Sequence, residues 1–148
     1  MSSSLLYIAG SHFFSGLLTI AISDSSSSII DSLKGTIFDE YPVLKNFMDK
    51  YDINATILII NQLMKSFPDN LEQIEPIKQA LTNLHNIIRD IETELDHINI
   101  EIEYHKNERY FAHYRTPYYN SYLKNIEKFI PTLNTRLDLL LKVIQMYK

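Results

Sequence analysis

The chain contains no cysteine and no tryptophan. Without thiols it has no disulfide, no thiolate zinc site and no cysteine nucleophile, and its redox compartment stays open. Glycine occurs three times, never beyond Gly35. No Gly-rich phosphate loop, Walker pattern, nucleophile elbow or HExxH sequence is present. No lysine or arginine precedes Lys34, and Leu5–Ile22 carries no charge. Valine occurs twice against 21 isoleucines, a bias typical of AT-rich genomes. A formal charge of -4 gives no overall basic footprint for nucleic acid. No stretch alternates with period two long enough to make a strand.

What remains is helical. The 148 residues, 45% hydrophobic and 22% charged, suit a single domain spanning 1–148 with a core that needs no staples. Ile74, Ile77, Leu81, Leu84, Ile88, Ile91, Leu95, Ile98 and Ile102 recur at alternating steps of 3 and 4. That is a heptad seam. Asp69 and Glu72 read as a capping box before it, and Pro76 falls in a first turn or ends a short lead-in turn. The seam predicts a helix to about Tyr114, broken at Thr116-Pro117. A second helix is expected over Tyr118–Tyr147, with Tyr122, Ile126, Phe129, Leu133, Leu137, Leu140, Ile144 and Tyr147 as its stripe. The doubled step of 4 at Leu133 reads as a stutter, with a kink at Pro131.

The fold class expected is therefore all-α: a helical bundle with a long antiparallel coiled-coil hairpin over 69–148, turning near 115–118, on a base of short helices over 1–68. Pairing outward from Pro117 leaves Ile74, Ile77, Leu81 and Leu84 overhanging the hairpin, so the first half must cover them. In that half, Asp24–Ser28 reads as a linker, with Ser28 capping a helix from Ile29 to Phe38. Pro42 opens another helix through Lys50. Asp52 caps a third, whose stripe is Ile53, Ile57, Ile60, Met64 and Phe67.

The uncharged opening segment admits three fates. It is close to the length of a membrane span, and Ala21-x-Ser23 resembles a signal cleavage site. As a soluble helix it would turn Leu6, Ala9, Phe13, Leu17 and Ile20 to the core, leaving Ser11, Ser15, Thr19 and Ser23 outward. The uncovered end of the seam favours the core helix. Burying one Ile or Leu contributes roughly 1.5–3 kcal/mol.

Candidate chemistry is sparse. Glu94-x-x-His97 has the spacing of a di-iron ligand pair, but no second copy follows. His97, Glu101, His105, Arg109 and His113 make an i+4 ladder, which a helical metal site would use. His105 also continues the heptad seam, where a packed histidine fits. Arg109 and His113 are separated by three residues. Helical ribonucleases of the HEPN class are similar in architecture, but their Arg–His pair has a longer spacer. No catalytic, metal or cofactor residue is assigned.

The stretch Tyr104–Tyr122 holds seven of the 17 aromatic residues, interleaved with Lys106, Arg109 and Arg115. Residues 90–103 carry six acids and no Lys or Arg, whereas 104–128 carry five bases and two acids. The hairpin thus has an acidic shaft and a basic, aromatic tip. Tyr104, Arg109, Tyr110, Tyr114, Arg115, Tyr118 and Tyr119 are the candidate partner-binding residues. The sequence points to a non-enzymatic structural or interaction protein, intracellular and soluble. It would be a subunit of a larger assembly or a homo-oligomer, with no small-molecule substrate. Two alternatives stand: a membrane-associated subunit anchored by Leu5–Ile22, and a nucleic-acid module using the 104–122 tip.

Overall fold

One proline and a seam of isoleucines and leucines shape the longest element. A computed structural model describes residues 16–34, 40–107 and 119–148. All regular structure among the described residues is helical: α1 (Leu17–Lys34), α2 (Pro42–Lys50), α3 (Ile53–Lys65), α4 (Asp69–Glu72), α5 (Glu75–Asn107) and α6 (Asn120–Met146). Pro76 lies in the first turn of α5, where its missing N–H costs nothing. The α5 seam is buried from Ile77 to Ile102, with Ala80 and Ile87 beside it, and Ile74 is half-buried. The expected end near Tyr114 lies outside the described residues.

The four-residue α4 replaces the expected capping box. Pro68 stands at its N-cap, and Glu72 is turned elsewhere: its Oε1 accepts the Leu18 N–H of α1 at 2.7 Å. The stripe of α3 is as expected, with Ile53, Ile57, Ile60, Met64 and Phe67 all buried. Pro42 opens α2. Asp52 does precede α3, but in the left-handed region at φ 56° and without a side-chain cap.

α1 corrects two expectations. Asp24–Ser28 is not a linker: the helix runs unbroken through it to Lys34, so Ser28 caps nothing. Serine lowers helix propensity by only a few tenths of a kcal/mol, and buried Ile22, Ile29 and Ile30 outweigh that cost. The faces are also inverted. Thr19, Ser25 and Ser26 are buried, while Leu17 and Ile20 are 41% and 55% exposed. α1 packs against both α3 and α5, and small side chains let a helix approach two neighbours closely. Leu6, Ala9 and Phe13 lie outside the described residues.

α5 and α6 pack closely. The His97 and Tyr122 rings lie 5.1 Å apart, Asn125 Nδ2 donates to Glu94 at 3.2 Å, and Arg136 Nη1 donates to the Asn83 carbonyl at 2.7 Å. Pairing outward from Pro117 would put Arg136 opposite Ile98; it lies against Asn83 instead, so α6 reaches much further down the seam. The expected overhang is correspondingly smaller, and α1 packs on α5 as well. The expectation took the turn near 115–118 as the point of symmetry; that turn lies outside the described residues.

The α6 stripe is corrected too. Tyr119, Leu123, Ile126, Ile130, Leu133, Leu140 and Ile144 are buried, with half-buried Leu137 between Leu133 and Leu140. Their steps alternate 4 and 3 without a stutter. Tyr122 and Phe129 sit half-buried at the edge of this face, and Tyr147 is 44% exposed. Their polar tip or bulk suits an edge better than a seam. α6 continues through exposed Pro131.

Candidate interaction surfaces

Each candidate surface follows from which side of a helix the core has used. On α5 the seam takes one face. The opposite face presents Ile100 at 62% exposure and Tyr104 at 61%, one turn apart. The helical neighbours of Ile100, three and four residues away, are Asp96, His97, Glu103 and Tyr104. Asp96 and Glu103 are exposed. Burial, then the Glu92 charge, raises the pKa of Asp96 above its ordinary value, against a lowering pull from His97. This patch is apolar with an acidic border.

On α6 the flank beside the seam presents Leu139, 50% exposed, and Met146, 75% exposed, with half-buried Val143 between them. The neighbours of Leu139 at the same spacing are Thr135, Arg136, Lys142 and Val143. This patch is apolar with a basic border. α2 reaches α6 at its other half, where the Tyr41 and Tyr119 rings meet edge to face at 6.3 Å and the Tyr51 hydroxyl donates to Glu127 at 3.0 Å.

The expected partner-binding set divides. Tyr104 is exposed, whereas Tyr119 is buried against Tyr41 and belongs to the core. Burial, then the charge of Tyr41, raises the Tyr119 hydroxyl pKa above 10.0. Arg109, Tyr110, Tyr114, Arg115 and Tyr118 lie outside the described residues, as does His113 of the ladder. Lys106 pairs with Glu40 at 3.0 Å on the surface. Glu94 and His97, the pair with metal-ligand spacing, each contact α6. Among the described residues no three His, Asp or Glu side chains cluster as a metal site, and no helix is long and apolar enough to cross a membrane.

A third surface is a cleft of about 450 Å³ between α1 and the end of α3, walled by Thr19, Ile20, Ser23, Met64, Phe67 and Asp69. Gly16 also lines it, with φ +89°. Close to Gly16, Glu72 is 3% exposed, and its Oε2 has no hydrogen-bond partner among the described residues. A carboxylate at a helix N-terminus is stabilised by the orphan N–H groups and the helix dipole. Ser23 Oγ donates to buried Asn61 at 2.7 Å and ties α1 to α3 along this wall.

The two apolar patches were missed at the sequence level. Leu139 and Met146 lie in a stretch apolar over most of its circumference, so only knowing which face α5 covers singles them out. No family model, curated protein or solved structure matches this chain.

Proposed function

We propose that this is a non-enzymatic helical interaction protein, in which α5 and α6 form an antiparallel coiled-coil hairpin that presents contact surfaces to a partner. One observation carries the reading. The contacts of Tyr122 with His97, Asn125 with Glu94 and Arg136 with Asn83 step up α6 as they step down α5. Both helices keep an uninterrupted heptad seam along that path, the sequence pattern of paired coiled-coil arms. A scaffold of this kind needs no catalytic group: its work is to hold exposed side chains at fixed separations on stiff helices.

The test is sedimentation and circular dichroism of the purified full chain beside Ile88→Asp and Ile98→Asp variants. Both positions are buried in the seam. An unpaired carboxylate there costs several kcal/mol, so both variants lose helicity and cooperative unfolding. Unchanged folding and unchanged assembly in both overturn the reading.

A further inference from the structure

The two apolar patches differ in the sign of their borders. Ile100 and Tyr104 stand among Asp96, Glu101 and Glu103; Leu139 and Met146 stand beside Arg136 and Lys142. Their shapes also correspond: Ile100 and Tyr104 are one turn apart on α5, and Leu139, Val143 and Met146 follow at steps of 4 and 3 on α6. The α5 patch is a short apolar stripe on an otherwise polar outer face, whereas the α6 patch adjoins further exposed apolar surface at Leu141 and Tyr147.

The patches cannot meet within one chain. Arg136 lies against Asn83, so Leu139 sits opposite the first turns of α5. Ile100 is then about 30 Å away along a continuous helix at 1.5 Å per residue. Only another molecule can bring the two borders together.

We infer that the α5 patch of Ile100 and Tyr104 binds the α6 patch of Leu139 and Met146 on a second copy of this chain. The inference rests on the interaction reading above and names its partner. The contact joins unlike surfaces, so two copies either exchange both contacts about a two-fold axis and close as a dimer, or share one and extend into open chains or rings. The apolar side chains supply affinity, and the opposed borders set orientation and disfavour like-with-like pairing.

The experiment uses the full chain in sedimentation velocity over a range of protein and salt concentrations. Two variants each block one end: Ile100→Asp on α5 and Leu139→Asp on α6. Both positions are at least half exposed, so helicity by circular dichroism stays at the wild-type level. The wild-type chain is expected to self-associate into dimers or larger species, shrinking as salt screens the borders. Each blocked variant alone is monomeric. An equimolar mixture of the two forms a two-chain species and nothing larger, because each supplies one intact end. Lys142→Glu weakens self-association about fivefold to tenfold, and adding Glu103→Lys in the same chain restores it.

Three results overturn the inference: a wild-type chain monomeric at every concentration, a blocked variant that still dimerises with itself, or blocked variants that do not combine. Binding of either patch to lipid vesicles or to an unrelated protein, with no self-association, overturns it too. None of these touches the hairpin reading, which the Ile88→Asp and Ile98→Asp variants decide separately.

Discussion

The Glu72 carboxylate accepts the Leu18 N–H at 2.7 Å, joining the start of α1 to the turn before α5 across 54 positions of sequence. A helix N-terminus leaves backbone N–H groups without intrahelical partners, and here the acceptor comes from a distant segment. Glu72→Ala is expected to destabilise the fold by about 1–2 kcal/mol, read from urea unfolding midpoints. A loss below the error of the measurement would mean that α1 does not depend on this cap.

Ser26 is fully buried on α1, and its hydroxyl has no hydrogen-bond partner. An unsatisfied buried polar group costs about 1–3 kcal/mol. Ser26→Ala is therefore expected to stabilise the protein by about 1 kcal/mol, helped by the higher helix propensity of alanine. Ser26→Leu is expected to destabilise it by about 1–3 kcal/mol, because the face between neighbours is already filled. Thermal unfolding of both variants checks the pair; stabilisation by leucine would contradict the close approach of α1.

Gly16 holds φ +89° at the entrance to α1. A Cβ there would meet no atom closer than 3.7 Å, so space is not the constraint. The backbone is: a positive φ costs an L-residue about 1–2 kcal/mol. Gly16→Ala should lower stability by about that amount, while a neutral result would show that the entrance turn relaxes.

His85 carries a pH dependence with a definite sign. Burial, then the charge of Arg89, lowers its pKa below 6.5, against a raising pull from Glu92. As pH falls through 6.5, the unfolded chain takes up a proton before the folded one does. The His85 contribution is thus full above pH 6.5 and is lost as pH falls toward the lower folded value. Replacing it in His85→Gln should flatten the decline of melting temperature below pH 6.5. An identical profile in wild type and variant would contradict that assignment.

The legible and illegible parts of this fold divide by what decides each one. Proline punctuation and 3,4 periodicity are local, and they place α2, α3 and α5 and the buried faces of α3 and α5. The faces of α1 and α6 are decided by neighbours. Leu17 and Ile20 are more apolar than Thr19 and Ser26, yet the smaller residues are inside because α1 lies against two helices. On α6 both the Tyr122–Phe129 and Leu123–Ile130 alignments fit a helical stripe, and packing on α5 selects the second. The register of α5 on α6 depends on a connection whose length the proline alone does not give. Tyr119, grouped by composition with an exposed aromatic tip, is buried because Tyr41 meets it from a segment no local pattern connects to it.

The most direct measurement of the central claim uses the absence of native cysteines. Cysteine pairs introduced at Asn83 with Arg136, and at His97 with Tyr122, should be bridged within one chain by a short bis-maleimide, which spans the side-chain lengths that separate these contacts, while the crossed pair at Asn83 with Tyr122 should not. Mass spectrometry of the cross-linked monomer reads the outcome. Cross-linking of both matched pairs alone is the result the antiparallel hairpin predicts; bridging by the crossed pair, or by neither matched pair, would contradict it.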